Sequence, residues 1–352
     1  MYLSYNKTKK SRILITSEEK LLKQRAELMV RITNVTDAGF DALALAVFAF
    51  QAANNPVYGA YLRDLGVNPQ SVKRLEEIPF LPISAFRHHD VQTLSWAPEL
   101  VFTSSGTTGA QSSRHLLRQT SWYRDNARRC FSHFYGKTGQ YALLALLPAY
   151  LERTGSSLVY MVQDFITCSP FGQSGFFLHD TQALRRALEE CRGLGIPTIL
   201  LGVSFALWDF VEAGRLDFPG LVVMETGGMK GRREEITRES LHDILRRGFG
   251  TTAIHSEYGM TELLSQAYSK GEGRFHCPPT MRVSIRDIYD PFEQVPRGRT
   301  GLLNITDLAN LDTIGFIATD DLGRSMPDGG FEVIGRLDHS EIRGCNLLVN
   351  VR

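Results

Sequence analysis

The chain has 352 residues, of which 43% are hydrophobic and 22% charged, and 39 Lys and Arg set against 38 Asp and Glu leave a net charge of +1. At roughly 150 residues per domain this length allows two or three compact units with a buried core, and the balanced charge supplies no basic field for dedicated nucleic-acid binding. The most apolar stretches, Ala42 to Phe50, Tyr141 to Leu147 and Ile196 to Phe210, are short or broken by Pro197, so no membrane span is expected where ~20 residues are needed.

Met1 to Arg12 are polar and basic, and no apolar run with a small-residue cleavage site follows them, so no secretory signal is read and the cytoplasm is the expected compartment. Lys7, Lys9, Lys10 and Arg12 read as a solvated tail. From Ser17 to about Phe86 the pattern is helical: Ser17-Glu18-Glu19-Lys20 predicts a helix start, Asp41 a second one, and Pro79 and Pro82 an extended crossing. Between about Leu100 and Glu262, apolar runs at Leu100 to Phe102, Tyr141 to Leu147, Thr198 to Val203, Leu221 to Met224 and Thr252 to His255 alternate with helices predicted near 118–134, 181–193, 204–213 and 232–247. Strands separated by helices predict a mainly parallel sheet covered on both faces. From Met281 to Ile334 the runs shorten and alternate between Gly and Pro, as in a small antiparallel β unit. The predicted boundaries are 1–95 for a helical lead-in, 96–270 for an α/β core, 271–335 for the β unit and 336–352 for a tail.

The sharpest local signal is Thr103-Ser104-Ser105-Gly106-Thr107-Thr108-Gly109, between a predicted strand and a helix. Its glycines let the backbone approach an anion, and its amides and hydroxyls offer donors to phosphate oxygens. On composition alone such a run is more often a flexible surface loop. Two later segments accompany it: Tyr258-Gly259-Met260-Thr261-Glu262, and Thr319-Asp320-Asp321-Leu322-Gly323 followed by Gly335-Arg336-Leu337-Asp338. In this order the segments resemble the signature series of the adenylate-forming (ANL) superfamily, which uses ATP to activate carboxylates. Further strings narrow the resemblance to the acyl-protein synthetase (LuxE-type) family: Ile78 to Ser84, Leu147 to Arg153, Ser156 to Met161, Thr226-Gly227-Gly228-Met229-Lys230, and Glu341-Ile342-Arg343-Gly344-Cys345-Asn346.

The resemblance implies an α/β fold: a large domain of mainly parallel sheets flanked by helices, a small antiparallel β subdomain, and a C-terminal domain absent or reduced to a short tail. It implies ATP and Mg2+ as cofactors, with Ser104, Ser105, Gly106, Thr107, Thr108 and Gly109 wrapping the β- and γ-phosphates and Gly227-Gly228 lying along the adenine. Tyr258, Gly259 and Met260 belong to the same nucleotide seat, Thr261 touches the α-phosphate, Glu262 holds Mg2+, and Asp321 and Arg336 meet the ribose. The implied substrate is a carboxylic, fatty acid. The implied acceptor is the thiol of Cys345, which passes the acyl group to a partner such as an acyl reductase or a carrier protein.

Ordinary superfamily members follow the phosphate loop with Pro-Lys-Gly, whereas this chain reads Ala110-Gln111-Ser112-Ser113-Arg114-His115, and the usual C-terminal catalytic lysine has no counterpart. Lys230 and Arg114 are the candidate substitute cations, and each also reads as a solvated surface residue. Cys345 is the fifth of five scattered cysteines (with Cys130, Cys168, Cys191 and Cys277) that show neither a disulfide framework nor a zinc spacing. By spacing alone it is a buried or frayed thiol. Flanking Arg343 and Gly344 favour a mobile thiolate.

Gly136-Lys137-Thr138 imitates the end of a Walker A loop, but position 131 is Phe where that loop needs Gly. Gly202-Val203-Ser204-Phe205-Ala206 imitates a nucleophile elbow, but its last glycine is replaced by Ala206 and Ser204 reads as a helix cap. His88, His89 and His255 lack a carboxylate-rich ligand set and read as surface and sheet-end residues. Two alternatives stay open: the same adenylate delivered to coenzyme A, a carrier protein or an amine, and a nucleotide-binding scaffold without catalysis. The acid's identity and the oligomeric state are not legible.

Overall fold

A computed structural model describes residues 16–104, 112–148, 155–227 and 236–337. The helical lead-in is α1 (Ser17–Thr33), α2 (Phe40–Asn54) and α3 (Pro56–Asp64). Helix α1 begins one residue earlier than the sequence pattern suggests, because Thr16 and Glu19 form a reciprocal capping box. Asp41 sits inside the first turn of α2 rather than capping it. A short β1 (Leu81–Pro82) and α4 (Ala85–His88) lead to β2 (Leu100–Thr103), which pairs antiparallel with β3 (Arg114–Leu117) in a two-stranded ribbon.

Next come α5 (Thr120–Tyr135), β4 (Ala142–Leu146), α6 (Ser157–Cys168), β5 (Gly175–Phe176), α7 (Thr181–Leu194) and β6 (Thr198–Gly202). They are followed by α8 (Ser204–Glu212), β7 (Val222–Glu225), α9 (Arg238–Phe249) and β8 (Ile254–Tyr258). The predicted alternation of strand and helix is present. The ribbon strand β3 and helix α6 lie where no element was predicted. Strands β5, β4, β6, β7 and β8 pair in parallel in that order. β4 and β6 are buried at every position, as parallel strands covered on both faces must be.

After β8 the direction alternates. β9 (Ala267–Ser269), β10 (Phe275–His276), β11 (Met281–Arg286), β12 (Gly301–Asp307), β13 (Phe316–Ser325) and β14 (Phe331–Arg336) are antiparallel, in the order β9-β10-β14-β13-β12-β11. The parallel and antiparallel halves are therefore one hydrogen-bonded sheet, continuous through β8 and β9.

Each half has its own core. Leu144, Leu200, Val223 and Ile254 pack with Leu188, Leu207, Phe210 and Phe249 in the first. Val47, Phe48 and Tyr58 of the lead-in pack on Ile305, Phe316 and Ile317 in the second. The lead-in is also fastened by charge: Arg25 of α1 grips Asp312 through two bonds of 2.5 Å, with both side chains nearly excluded from water. Among the described residues no helix is long and apolar enough to cross a membrane.

Candidate active site

The C-terminal ends of parallel strands are where α/β sheets gather ligands, and the motifs converge there. β8 ends on Tyr258, and residues 259–266 turn back into β9. This turn is built by buried polar groups. Asp307 at the end of β12 accepts the N–H groups of Leu264 (2.8 Å), Ser265 (2.9 Å) and Ala309 (3.1 Å) and the Ser265 hydroxyl (2.7 Å). Asn310 Nδ2 donates to the Glu262 carbonyl at 2.8 Å. His115 of β3 meets the Thr261 carbonyl through Nδ1 at 2.7 Å and Thr313 Oγ1 through Nε2 at 3.1 Å. Burial lowers this imidazole to about 4, so at neutral pH its one N–H goes to Thr261 and Nε2 accepts from Thr313. With both carbonyls held from behind, Thr261 and Glu262 have one backbone setting.

Ser104 closes the mouth of the β2–β3 ribbon: its N–H donates to the Ser113 carbonyl (3.1 Å) and its Oγ accepts the Ser113 N–H (2.9 Å). Ser113 in turn hydrogen-bonds Glu262, which joins the phosphate-loop ribbon to the Thr261-Glu262 turn. Glu262 is buried, and that burial raises its carboxyl above the ordinary range against the opposing pull of Ser113, Arg336 and Arg87.

On the other side of the turn, the Tyr258 hydroxyl donates to Asp321 Oδ2 at 2.7 Å. Arg336 lies 3.9 Å from Asp321 Oδ1 and 3.8 Å from Asp320 Oδ2. Burial raises Asp321 although Tyr258 and Arg336 favour its charged form. The register explains the meeting, since Asp321 and Arg336 are direct partners across β13 and β14.

β7 delivers Thr226 and Gly227. Gly227 has φ 78°, a left-handed conformation that suits glycine. Its carbonyl accepts from the Ser204 hydroxyl, which also reaches Glu225 Oε2 at 3.0 Å. Ser204 is thus neither nucleophile nor cap: the N-cap position falls on Val203, and the Ser204 hydroxyl braces the end of β7. Thr226 Oγ1 donates to Glu257 Oε2 at 2.7 Å, tying β7 to β8 just below Gly227 and Gly259. A Cβ on Gly259 would lie 2.5 Å from Glu257 Oε1, so a larger residue there would have to displace the Glu257 carboxyl. Met260 packs at the edge of the second core.

The structure therefore brings together Ser104, Thr261 and Glu262, and likewise Tyr258, Asp321 and Arg336, with Gly227 and Gly259 linked through Thr226 and Glu257. Arg114, a candidate substitute cation, pairs with Asp90 at 2.8 Å, half exposed. His88 and His89 are exposed, as expected. His255 is not a bare sheet-end residue: it meets the Tyr135 hydroxyl at 3.0 Å, and burial followed by Lys270 lowers it to about 4. Ser105, Gly106, Thr107, Thr108, Gly109, Gly228, Lys230 and Cys345 lie outside the described residues. His115, Ser113, Asp307 and Asn310 were not singled out for this site, because each is a lone polar residue whose partner is far away in sequence.

The donor set suits the implied groups. Mg2+ is ordinarily held by one or two carboxylates plus substrate phosphates. Among the described residues no cluster of three metal-ligating side chains exists, whereas Glu262 is a single buried carboxyl that a cation would relieve. Asp321 is a carboxylate acceptor of the kind that binds sugar hydroxyls.

No protein-family model and no curated protein sequence matches the chain. Solved structures do. An open conformation of 2-hydroxyisobutyryl-CoA ligase in complex with 2-HIB-AMP and CoA superposes with a TM-score of 0.63 at 13% identity, covering 85% of this chain and 70% of that one. ATP-bound MatB from Rhodopseudomonas palustris superposes with a TM-score of 0.53 at 16% identity, covering 69% of this chain and 50% of that one. The fold is that of the large N-terminal domain of adenylate-forming ligases. The chain spans about half the length of MatB and 70% of the length of the hydroxyisobutyryl-CoA ligase.

Proposed function

We propose that the chain is an AMP-forming ligase of the acyl-protein synthetase type, which activates a carboxylic acid with ATP and loads the acyl group onto Cys345. The observation that carries this reading is the joint placement of the Tyr258–Asp321–Arg336 cluster and the Thr261–Glu262 turn at one sheet edge, with the phosphate-loop ribbon fastened to that turn by Ser113 and His115. The solved neighbours include ligases bound to ATP and to an acyl-AMP, which supports the same chemistry here.

In the first step a carboxylate oxygen attacks the α-phosphorus, the bond from that phosphorus to the bridging oxygen breaks, and pyrophosphate leaves. When bound at Glu262, Mg2+ would supply positive charge to the phosphate oxygens. Thr261 offers its hydroxyl to the α-phosphate from a backbone that His115 holds in place. Asp321 and Arg336 hold the ribose, and Gly227 and Gly228 leave room for the flat base. In the second step the Cys345 sulfur attacks the acyl carbon, the bond from that carbon to the AMP oxygen breaks, and AMP leaves.

Leu337, the last described residue, donates its N–H to the Asp320 carbonyl at 2.8 Å, beside Asp321 and Arg336. Cys345 follows Leu337 by eight residues, a length of chain that extends to at most about 26–29 Å, which supports Cys345 as the acceptor. The fatty nature of the acid and the partner that receives the acyl group, an acyl reductase or a carrier protein, follow from the sequence resemblance.

Incubation with ATP, Mg2+ and labelled acid tests this reading. A hydroxylamine-labile adduct that disappears in Cys345→Ser, while acid-dependent pyrophosphate release persists, supports it. A second reading takes its support from the CoA-bound neighbour. Should Cys345→Ser turn over fully when coenzyme A is supplied, that reading replaces the first for the acceptor.

A further inference from the structure

Below the proposed nucleotide seat, polar side chains are buried on the sheet face that α5 covers. Glu257 and Tyr268 are direct partners across β8 and β9 and so project to the same face. The Tyr268 ring packs against Phe131, Phe134 and Tyr135 of α5, with centroids 5.3 to 6.2 Å away. Gln266, two residues before Tyr268, shares this spot: a Cβ on Gly259 would lie 3.4 Å from Gln266 Cγ and 2.5 Å from Glu257 Oε1. Tyr123 of α5 faces Glu257, whose charge, after burial, raises its hydroxyl further. Phe102, Tyr123 and the half-buried Tyr160 stack edge-on at 5.0 to 5.9 Å, so aromatic rings stand beside the polar group.

Among the described residues these polar atoms find no partner. Residues Gln266 and Tyr268 are 3% and 1% exposed, and Gln266 Oε1 and the Tyr268 hydroxyl have no hydrogen-bond partner among the described residues. The Gln266 amide nitrogen is already donated to the Leu264 carbonyl at 3.2 Å. Buried polar atoms left without partners are rare in proteins and call for a ligand or an ordered water. A purely hydrocarbon acyl chain would leave unpaired both Gln266 Oε1, which can only accept, and the Tyr268 hydroxyl, which accepts and donates, and a site with an unpaired acceptor rejects an analogue that lacks the matching donor.

Resting on the adenylation reading above, we infer that the acid activated by this chain carries a hydrogen-bond donor on its acyl part, received by Gln266 Oε1, the Tyr268 hydroxyl and the Glu257 carboxyl. The donor is a hydroxyl, an amide N–H or an ammonium. Burial, opposed by Thr226 and aided by Glu225, raises Glu257 to about 7, so its proton can leave when a cationic donor arrives or stay when a neutral one does.

The experiment measures acid-dependent pyrophosphate release by the full chain with ATP and Mg2+. The panel contains straight-chain alkanoic acids and acids of the same length bearing a hydroxyl, an amide or an amine, which separates the neutral donors from the charged one. The expected result is a kcat/KM at least about ten-fold higher for one of the donor-bearing series, with that preference reduced several-fold in Gln266→Leu and in Tyr268→Phe. Thermal unfolding of Tyr268→Phe is expected at or above the wild-type temperature, because removing an unpaired hydroxyl forfeits no bond. Equal or better kcat/KM for the unsubstituted acids would overturn the inference while leaving the adenylation reading intact. No release with any acid in the panel would overturn both.

Discussion

Glu262 and His115 divide the work at the turn after β8. Glu262 is buried with a raised carboxyl, the state of a group placed to meet a cation. Glu262→Gln keeps the Ser113 contact and removes the charge. It is expected to lower kcat for pyrophosphate release by about 10²-fold and to flatten its Mg2+ dependence, with circular dichroism unchanged. His115 acts from behind, through the Thr261 carbonyl. Its folded value near 4 lies below the ordinary 6.5, so between these two values the unfolded chain binds the extra proton and stability rises with pH. From pH 6.5 down to 4 this group alone is expected to cost up to about 3 kcal/mol. His115→Asn keeps a donor near the Nδ1 position and is expected to weaken that acid loss in urea titrations. An unaltered slope would show that the imidazole is not the titrating group.

These residues also show what a sequence carries and what it hides. The strings around Ser104, Tyr258 and Asp321 were legible because consecutive residues supply the chemistry. His115 was not, since its partners Thr261 and Thr313 lie 146 and 198 positions away. Glu225 and Glu257 were hidden for a related reason: each is a carboxyl near the end of a buried strand, and partners distant in sequence, among them Ser204, Thr226 and α9, make such burial tolerable.

The β2–β3 ribbon is the element that presents the phosphate loop. Its first strand was legible as the apolar run Leu100 to Phe102, whereas the second escaped because Arg114-His115-Leu116-Leu117 does not alternate. The ribbon is bolted to the neighbouring segment at Gly155, whose carbonyl accepts the Thr103 N–H at 2.9 Å. Gly155 has φ +88°, and a Cβ there would lie 2.8 Å from Thr103 Oγ1 and 3.2 Å from the Val101 carbonyl. Gly155→Ala is therefore expected to cost about 1–3 kcal/mol in denaturant unfolding and to raise the KM for ATP several-fold. An unchanged KM together with lost stability would separate the ribbon's anchoring from nucleotide binding. Helix α6, beginning at Ser157, was likewise undeclared, because its apolar run Leu158 to Met161 suits a strand or a helix until length decides.

Across the whole molecule, one sheet carries two cores, and charge pairs fasten the layers that periodicity alone would leave loose. The antiparallel pairing was visible as a change of run length from residue 281 onward, whereas it already begins at β9 (Ala267–Ser269). Its continuity through the two-residue strand β10 depends on pairing between distant segments and was not. Asp312→Ala would take the carboxylate away from Arg25 in a nearly dry site and from Arg118 3.6 Å away, leaving Arg25, among the described residues, only Gln119, and is expected to cost about 3–5 kcal/mol. The double variant Arg25→Met/Asp312→Leu is expected to recover much of this, as measured by denaturant midpoints. Because the halves form one sheet through the β8–β9 pairing, tryptophan fluorescence and far-ultraviolet circular dichroism are expected to report coincident transitions.

The route of oxygen tests the central claim most directly. An acid labelled with 18O in its carboxylate, incubated with the chain, ATP and Mg2+, is expected to yield AMP carrying one labelled oxygen, because the bond that releases AMP lies between the acyl carbon and that oxygen. AMP without label, or ADP as the nucleotide product, would contradict acyl-adenylate formation at this site.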